Sequence, residues 1–296
     1  MKETAIMVCV KDRPSELAML LESLYFQTYK DFDIFIRDDM SGTSLNSYHF
    51  FNCIIARLVL RNHKVIVNRN DIPLGVSKNR QQLIEDVKDK GYKYVCRIDD
   101  DVVLESDFLE RLIKVIESGY DLASGVTPPM SSPTFIRDSK YLNIGNQVVL
   151  DNEGNYILNN DDFGMQYTDS KIIPAHHFRS SALYKIEIHD KVNYLPTRLT
   201  KHGFREEQIL SFKCMIDGFK MGIITSAIAW HLLTPSGGER FADSNELIKI
   251  NEEVLRDFVK KLYKEHGDFI KSYDERMEIN RNYLKGELSR PLNCLI

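Results

Sequence analysis

Three consecutive carboxylates, Asp99, Asp100 and Asp101, lie between apolar residues in the segment RIDDDVVL. Like charges this close repel each other and lower stability unless a positive partner lies among them. In an extended chain, Asp99 and Asp101 would point to the same side, roughly 6–7 Å apart, with Asp100 pointing away. Such a pair can hold Mg²⁺ or Mn²⁺, which take few protein carboxylates and complete their shell with water and phosphate oxygens. The plain alternative is an acidic, solvated strand end followed by a turn.

Alternating strand and helix patterns surround these carboxylates. Apolar runs predict buried strands at residues 5–10, 33–37, 64–67, 94–98 and 122–126. Amphipathic patterns predict helices that open at Pro14 and cover residues 75–87 and 106–118, with Ser106 as the N-cap of the last one. This alternation is typical of right-handed βαβ units and of a mixed, mostly parallel sheet flanked by helices, an α/β fold.

Two acidic clusters fall where predicted strands end. Asp39 follows the second strand, and the three aspartates follow the fourth. Ligands of parallel α/β sheets bind beyond the carboxyl ends of the strands. The sequence therefore predicts that both clusters lie on the same edge of the sheet, where a ligand would bind.

The second half of the chain is less regular. Residues 128–169 are rich in Pro, Asn, Asp and Gly, which predicts loops and a short hairpin. Periodic patterns return at residues 182–188, at 206–216 as a helix and at 221–230 as a strand. Residues 245–266 predict a strongly amphipathic helix closed by Gly267.

Composition and charge narrow the class of protein. The 296 residues carry a net charge of −4, which gives no basic footprint for nucleic acid or for an anionic membrane. Five scattered cysteines form no C-x-x-C pair, so neither a zinc site nor a disulfide framework is expected. The first apolar run is too short for a signal peptide, and no run is long enough to span a bilayer. We expect a cytoplasmic protein, and a peripheral contact with the inner face of the membrane stays open.

Four short motifs occur in order within about the first 125 residues. They are Gln27-Thr28 at the end of a helix, Asp38-Asp39-Met40-Ser41 after a strand, Gly75-Val-Ser-Lys-Asn-Arg80, and the three aspartates at 99–101. In this order and spacing they resemble the inverting family 2 of nucleotide-sugar glycosyltransferases, which has the GT-A fold. One such motif is weak evidence, whereas four in sequence are strong.

The resemblance implies a nucleotide site at the ends of the first, second and fourth strands. Asp39 would hydrogen-bond the base, most often uracil, and Asp101 would bind the metal, Mn²⁺ or Mg²⁺. Asp99 would contact the ribose, the metal or a metal-bound water. The other nucleotide-binding candidates are Val8, Val10, Asp12, Arg13, Arg80 and Asp100. Taken alone, Asp39 fits a turn or cap residue equally well, and Arg80 fits an exposed helix charge.

An acidic pair, Glu206-Glu207, opens the helix predicted at 206–216. The resemblance puts the general base at the second member, although many relatives have Asp there and a further Asp where Ile209 stands. The choice between Glu206 and Glu207 therefore stays open. The structural alternative is that two acids favour a helix N-terminus through its dipole.

Two features near the end of the predicted strand at 221–230 complete the implied site. His231 would join the metal ligands, because imidazole suits Mn²⁺ beside carboxylates; the alternative is a hydrogen-bonded core histidine. The loop with Gly237, Gly238 and Arg240 would close over the diphosphate, where Arg240 would neutralise the leaving group; a plain connecting loop fits as well.

Three further side chains, His176, His177 and Trp230, are the expected contacts of the sugar or the acceptor. Adjacent residues in a strand face opposite ways, so a joint metal role for the two histidines is not expected.

The implied activity is metal-dependent, inverting transfer of a hexosyl or N-acetylhexosaminyl group from a nucleotide-diphosphate sugar, with UDP the expected nucleotide. The acceptor would be a hydroxyl group of a glycan, a glycolipid or another molecule, as in cell-surface polysaccharide biosynthesis. We expect residues 1–127 to bind the donor and residues 128–240 to form the acceptor-binding and catalytic half of the same domain. Residues 241–296 would be a helical extension that could support a homodimer.

Two other functions fit part of this pattern. A sugar nucleotidyltransferase also uses paired aspartates and a metal, but it would normally carry a glycine-rich phosphate loop after the first strand, which the segment CVKDRP lacks. A catalytically inactive nucleotide-sugar-binding module would bind the donor without turnover.

Overall fold

The computed structural model describes residues 2–131, 142–150, 156–163, 170–175, 177–178, 181–192, 199–235, 237–238 and 244–288. The strands, in chain order, are β1 Thr4–Val10, β2 Phe32–Asp38, β3 Val65–Arg69, β4 Tyr94–Asp99, β5 Val102–Leu104, β6 Leu122–Val126, β7 Leu142–Leu150, β8 Tyr156–Phe163, β9 Ile172–Pro174, β10 Ala182–Lys185 and β11 Met221–His231. The helices are α1 Pro14–Tyr25, α2 His49–Leu60, α3 Val76–Val87, α4 Phe108–Glu117, α5 Ile188–Lys191, α6 Glu206–Ile216 and α7 Ser244–Leu288.

One nine-stranded sheet forms the centre of the fold. Its strand order is β3-β2-β1-β4-β10-β6-β11-β5, with β9 paired to β11 at one side. The first four strands of this order run parallel, as do β6 and β11, whereas β10 runs antiparallel to β4 and β6. The mixed, mostly parallel α/β sheet predicted from the alternating patterns is therefore confirmed. Strands β7 and β8 form a separate two-stranded hairpin, as predicted for this region.

Helices cover both faces of the sheet, and the residues of β1 divide between them. Ile6, Val8 and Val10 pack in a core with α1, α2 and α4, while Ala5 and Met7 pack in a second core with α3, α6 and α7. Successive side chains of a strand point to opposite faces, so a strand covered on both sides reads as one continuous apolar run.

Three details differ from the sequence predictions. Helix α2 had no predicted counterpart. Helix α4 begins at Phe108 with Asp107, not Ser106, at the N-cap, because the chain still turns between residues 105 and 108. Helix α7 breaks at His266, whose φ of −133° is not helical, at the predicted end, but a second helical segment continues beyond this kink to Leu288. A glycine ends a helix by adopting a left-handed conformation, and Gly267 does not adopt it.

The structure offers no candidate for a membrane-spanning helix within its described residues.

Candidate active site

The carboxyl ends of β1, β2 and β4 meet at one edge of the sheet. The parallel register pairs Val10 with Asp38 between β1 and β2, and Cys9 with Asp99 between β1 and β4. The two acidic clusters that follow β2 and β4 therefore lie on the same edge, as the sequence predicted.

Two adjoining cavities open at this edge, one of about 210 Å³ and one of about 70 Å³. The larger is lined by, among others, Arg13, Arg80, Asp99, Asp101, Glu207 and His231. The smaller is lined by, among others, Val10, Lys11, Asp39 and Asn79. Arg13, Asp100 and Gly238 line both, so the two cavities form one continuous site.

The chain turns immediately after β4, so the extended geometry predicted for the three aspartates is wrong. Asp100 Oδ1 and Asp101 Oδ2 both accept hydrogen bonds from Nη1 of Arg13, at 2.9 and 3.1 Å. Asp99 accepts one from Nη2 of Arg80 at 2.5 Å. The alternation of a strand no longer applies here because β4 ends at Asp99 and the next two residues form a turn. Two arginines thus offset part of the charge of the three carboxylates.

Burial changes the acidity of this cluster. Removal from water raises the pKa of Asp100 to about 7; the charge of Arg13 opposes the rise, and that of Asp101 adds to it. Asp100 is therefore partly protonated near neutral pH, which reduces the repulsion among the three neighbours.

Asp39 is held by neutral donors rather than by a cation. Its Oδ1 accepts hydrogen bonds from the N–H of Leu74 at 2.7 Å and the amide of Asn70 at 2.9 Å, and its Oδ2 accepts one from the N–H of Gly75 at 2.9 Å. Burial acts to raise the pKa of Asp39, but these bonds, together with one from Asn79, outweigh it and lower the pKa. Asp39 therefore presents a permanent negative charge to the smaller cavity.

Gly75, the first residue of the third motif, is required by the backbone around Asp39. It has a φ of 82°, and a Cβ atom at this position would lie 2.6 Å from the Cα of Lys201. Any other residue would be strained and would collide with the chain at Lys201, which would shift the N–H group of residue 75 away from Asp39.

Glu206 is buried between two guanidinium groups. Nη2 of Arg97 lies 3.1 Å from Oε1 of Glu206, and Arg80 contacts the same oxygen. Arg97 is only 1% exposed, and Glu206 is 2% exposed. Because Arg80 also bonds Asp99, a chain of ion pairs connects α3, β4 and the start of α6. Removing one member of such a buried set leaves an uncompensated charge, which is strongly destabilising.

Glu207 differs from its neighbour, because it is only half-buried and lines the larger cavity. Successive residues of a helix point about 100° apart, so one acid of the pair faces the arginines and the other faces the cavity. Arg205, which precedes α6, has a left-handed φ of 76°, and its side chain bonds Glu252 of α7 at 2.6 Å. Helix α7 thus helps to fix the start of α6.

Asp101 and His231 are the pair that could share a metal ion. Asp101 Oδ1 lies 3.2 Å from Nε2 of His231, close to the separation of about 3 Å between adjacent ligands of an octahedral ion. Their backbones are also joined, since the N–H of Leu232 bonds the carbonyl of Asp101 at 2.9 Å. No group of three potential ligands occurs among the described residues. A carboxylate oxygen and an imidazole nitrogen can serve an ion that takes its other ligands from water and phosphate. The donor set therefore fits Mn²⁺ or Mg²⁺.

Cys9 lines both cavities but does not belong to this donor set. Burial raises the pKa of its thiol to about 12, so the side chain stays neutral. A neutral thiol is a poor ligand for a hard cation.

The glycines of the loop after β11 pack directly on Arg13. A Cβ atom at Gly237 would lie 2.5 Å from Cγ of Arg13, and one at Gly238 would lie 3.4 Å from Nη2 of the same side chain. The N–H of Gly238 also bonds the carbonyl of Lys11 at 2.8 Å. This loop therefore closes one side of the site. Both glycines have a positive φ, and a Cβ atom at Gly237 would also lie 2.9 Å from the carbonyl oxygen of Asp12, so position 237 favours glycine.

The structure brings some predicted residues to the cavities and not others. Val8 is buried in the core, and Asp12 accepts a hydrogen bond from the N–H of Gly42 at 2.7 Å on the exposed side of the loop. Trp230 donates its indole N–H to Glu105 at 2.7 Å. His177 is buried beside the ring of Phe212. None of the four predicted residues, Val8, Asp12, Trp230 and His177, is among the described residues that line the two cavities. His176 and Arg240 lie outside the described residues.

Some residues of the site were not predicted from the sequence. Arg97, Asn70 and Asn79 hold the predicted acids in place, and His202 lines the larger cavity. Arg97 did carry a signal, because a cation inside an otherwise apolar strand needs a buried anionic partner. The asparagines carried none, since their role depends on which loops meet in space.

Two sequence comparisons bear on the family of the chain. The family model for "Glycosyl transferase family 2" matches residues 5–186. No curated protein sequence matches the chain.

Several solved structures share the fold at low sequence identity. A crystal structure of S. aureus TarS with UDP-GlcNAc has a TM-score of 0.57 and 14% identity, over 86% of this chain and 65% of that one. GalNAc-T7 with UDP, GalNAc and Mn²⁺ has a TM-score of 0.59 and 12% identity, over 92% and 58%. Mannosyltransferase PcManGT from Pyrobaculum calidifontis with GDP-Man and Mn²⁺ has a TM-score of 0.56 and 11% identity, over 88% and 64%.

The chain thus aligns with less than two thirds of each of these three structures. Such likenesses concern the fold, and they confirm the GT-A fold expected from the sequence.

Proposed function

The chain belongs to glycosyl transferase family 2, and on that premise we propose that it transfers a sugar from a nucleotide-diphosphate donor to a hydroxyl group, with inversion at the anomeric carbon. One observation supports this proposal most directly. The same cavity is lined by the three aspartates after β4, by His231 and by Glu207. Groups suited to a metal and a diphosphate therefore share one space with a carboxylate suited to general base catalysis.

The nucleotide is expected to be UDP. Asp39 lines the smaller cavity, and its charge suits a hydrogen bond from a ring N–H of the base. Of the structures compared, two hold UDP or a UDP-sugar and one holds GDP-Man. Uracil and guanine both carry a ring N–H, so the expectation of UDP rests on the family resemblance. Arg13, Arg80 and Arg97 are the described arginines that line the larger cavity, where the diphosphate would lie.

The cofactor is expected to be Mn²⁺ or Mg²⁺, held by Asp101 and His231. When bound, such an ion supplies positive charge that stabilises the departing diphosphate. Arg13 bridges Asp100 and Asp101, so its guanidinium provides positive charge beside the same carboxylates.

Glu207 is our candidate for the general base. Glu206 contacts two arginines and is buried, whereas Glu207 faces the cavity. A base must reach the proton that it removes, and it must not already be engaged in strong ion pairs. The geometry supports Glu207 as the base and Glu206 as the residue that fixes the start of α6.

In this reaction Glu207 accepts the proton of the acceptor hydroxyl as its oxygen attacks the anomeric carbon. The bond between that carbon and the diphosphate oxygen breaks, and its electron pair leaves with the nucleoside diphosphate. A single displacement of this kind inverts the configuration of the sugar carbon. The buried ion pairs of Glu206 keep α6, and thus the base, in a fixed position.

We assign donor binding to residues 1–127, acceptor binding and catalysis to 128–240, and a supporting role to 241–296. The sugar contacts of His176, His177 and Trp230, the role of Arg240, a homodimer through α7 and a cytoplasmic location stay predictions.

Calorimetric titration of UDP and GDP, with and without Mn²⁺, tests the donor site. Slow hydrolysis of UDP-sugars, with water in place of the acceptor, tests turnover. We expect Glu207→Gln to bind UDP like the wild type but to lose about a thousandfold in hydrolysis, because the base is gone and the pocket shape is kept. Glu253→Gln, at an exposed acid of α7, is the matched control and should change neither.

Two results would count against the proposal. Binding of UDP with no turnover of any UDP- or GDP-sugar would favour an inactive binding module. Failure to bind either nucleotide would remove the donor site altogether.

A further inference from the structure

Helix α2 is more apolar than its packing requires. Nine of its twelve residues in HFFNCIIARLVL have apolar side chains, yet within this fully described helix only Phe51 and Leu58 are buried. An ordinary surface helix turns its apolar stripe inward and its polar residues outward. A helix that is apolar around most of its circumference normally has a second surface covering its outer face.

The uncovered apolar side chains are large, and they continue onto α1. Leu60 is 82% exposed and Val59 is 52% exposed at the end of α2, and Phe26 is 58% exposed just after α1. Met19 and Phe50 are also exposed, and with Phe26 they line an apolar groove of about 570 Å³ between α1, α2 and β5. We call α2, the groove and Phe26 the α1–α2 face.

The charge of this segment is opposite to that of the whole chain. Asp and Glu supply 43 of 296 residues and the net charge is −4, yet none occurs from Met40 to Asn70. The same segment carries Arg57, Arg61 and Lys64, all exposed. The apolar end of α2 is thus flanked by cations on a protein that is acidic overall.

The acid that does face this surface is already paired. Both carboxylate oxygens of Glu22 accept hydrogen bonds from Nη1 of Arg57 at 2.8 Å. Arg57 and Arg61 also lie over the ring of Tyr25, at 4.2 and 4.7 Å from its centre. These contacts hold the two guanidinium groups over Tyr25, between the end of α1 and the last turn of α2, rather than leaving them to sample solvent freely.

We propose that the α1–α2 face docks on an anionic lipid bilayer. Apolar side chains flanked by Arg and Lys are the pattern of helices that lie in the membrane interface, where the apolar atoms enter the acyl boundary and the cations meet lipid phosphates. The inference is independent of the proposed transfer reaction, because it uses none of the residues of the active site.

A second copy of the chain is a less suitable occupant of this face. In a symmetric dimer the same patch meets itself, which would bring Arg57 and Arg61 of both copies together. Like charges facing each other across an interface are unfavourable. A phosphate-rich surface instead matches the sign of the charge.

Flotation of the full chain with lipid vesicles tests the proposal. The protein should float with vesicles of phosphatidylcholine mixed with an equal part of phosphatidylglycerol, and not with phosphatidylcholine alone. Leu60→Ser should weaken binding about tenfold, because one large side chain no longer enters the acyl boundary. Arg61→Glu should weaken it by about fivefold or more, because each basic residue near an anionic surface contributes about that factor.

Matched controls lie on the opposite face of the sheet. Ile250→Ser and Lys249→Glu change an exposed apolar residue and an exposed cation of α7, and both should bind vesicles like the wild type. Leu60 is so exposed that its substitution cannot prevent folding, and hydrolysis of a UDP-sugar serves as an independent check of the active site.

Three outcomes would overturn the proposal. The wild type could fail to float with the anionic vesicles, or the α7 variants could lose binding as much as the α1–α2 variants. Alternatively, Leu60→Ser could change the mass of the protein in solution by light scattering without changing flotation, which would show that a second copy covers this face.

Discussion

The two acidic clusters at the edge of the sheet are built in opposite ways. Asp39, after β2, is surrounded by neutral N–H donors from Leu74, Gly75 and Asn70, and its pKa is lowered. Asp100, after β4, is buried beside other carboxylates, and its pKa is raised to about 7. Both clusters follow a parallel strand of one sheet, so the strand end alone does not decide how a carboxylate behaves.

The difference lies in what balances the charge. Backbone N–H groups and buried amides are fixed by the fold, so Asp39 is a preformed anionic contact. Arg13 and Arg80, in contrast, are long side chains whose positive charge a bound cation can replace. We infer that Asp39 binds a neutral group of the ligand, such as a base. The carboxylates after β4 would instead exchange an arginine for a bound metal ion as their positive partner.

The largest effect is expected at the second cluster. Asp101→Asn should lower UDP-sugar hydrolysis in Mn²⁺ by about a thousandfold, because one charged ligand of the proposed metal is lost.

Asp39→Asn should mainly weaken UDP binding, by about tenfold, because a charge-assisted hydrogen bond to the base is lost. Initial rates and calorimetry on both variants separate the two effects, and the exposed Asp89→Asn is the control. Hydrolysis by Asp101→Asn within tenfold of the wild type would contradict the assignment.

If a bound metal ion can replace the charge of Arg13, the stability of an Arg13 variant should depend on the presence of metal. Without metal, Arg13→Gln should cost about 3 kcal/mol in the free energy of unfolding, because Asp100 and Asp101 lose their buried partner. Addition of Mn²⁺ should restore more stability to this variant than it adds to the wild type. Urea unfolding with and without Mn²⁺ measures both quantities.

The matched variant for this comparison is Arg69→Gln. Arg69 is partly exposed and lies 3.5 Å from Asp38, at the end of the other strand. It should lose less than about 1 kcal/mol and show no response to Mn²⁺. An equal response of the two arginine variants would remove the distinction between the clusters.

The two clusters should also respond to pH in opposite directions. Between about pH 4 and about pH 7, folded Asp100 keeps a proton that the unfolded chain has released, so its contribution lowers stability as the pH rises. The lowered pKa of Asp39 stabilises the fold above about pH 4, and this contribution is lost as the pH falls below that value.

We therefore expect metal-free wild type to lose on the order of 2 kcal/mol relative to Asp100→Asn between pH 4 and pH 7. Relative to Asp39→Asn, it should instead lose stability on acidification below pH 4. Urea unfolding across this range measures both differences. Differences that stay constant with pH would show that neither carboxyl is perturbed in the predicted direction.

The smallest effect concerns a single neutral donor to Asp39. Asn70→Ala removes the amide that lies 2.9 Å from Oδ1 and should cost about 1 kcal/mol of stability. The N–H groups of Leu74 and Gly75 stay in place, so UDP binding should fall by less than in Asp39→Asn. A larger loss of UDP binding in Asn70→Ala than in Asp39→Asn would show that the asparagine itself contacts the nucleotide.

Much of the fold was predictable because its signals are local. Strands β1, β2, β4 and β6 appear where continuous apolar runs occur, and α1 begins at the expected Pro14. Helix α2 was not predicted because its apolar pattern has no clear polar side, which is the same property that leaves its outer face uncovered. The break of α7 at His266 falls where the sequence predicted a helix end, and only the second segment, to Leu288, had no predicted bounds.

The motif residues also proved to serve different purposes. Gln27 is fully buried, and its side chain bonds the carbonyl of Glu105 at 2.8 Å and the N–H of Leu109 at 3.0 Å. It therefore joins the end of α1 to the chain that follows the three aspartates and never reaches the cavities. Among the motifs that indicated the family, some residues therefore stabilise the fold and others line the site.

The sequence by itself determined which carboxylates stand at strand ends and therefore that Asp39 and Asp99 to Asp101 share one edge. Strand periodicity and parallel order are properties of neighbouring residues, and they suffice for that conclusion. Only the tertiary structure decided the partners. Arg13 and Arg80 come to the aspartates, and Arg97 comes to Glu206, from distant parts of the chain. Charge balance and burial depend on those long-range contacts. Only these contacts therefore distinguish Glu207, which is open to the cavity, from Glu206, which is buried among arginines.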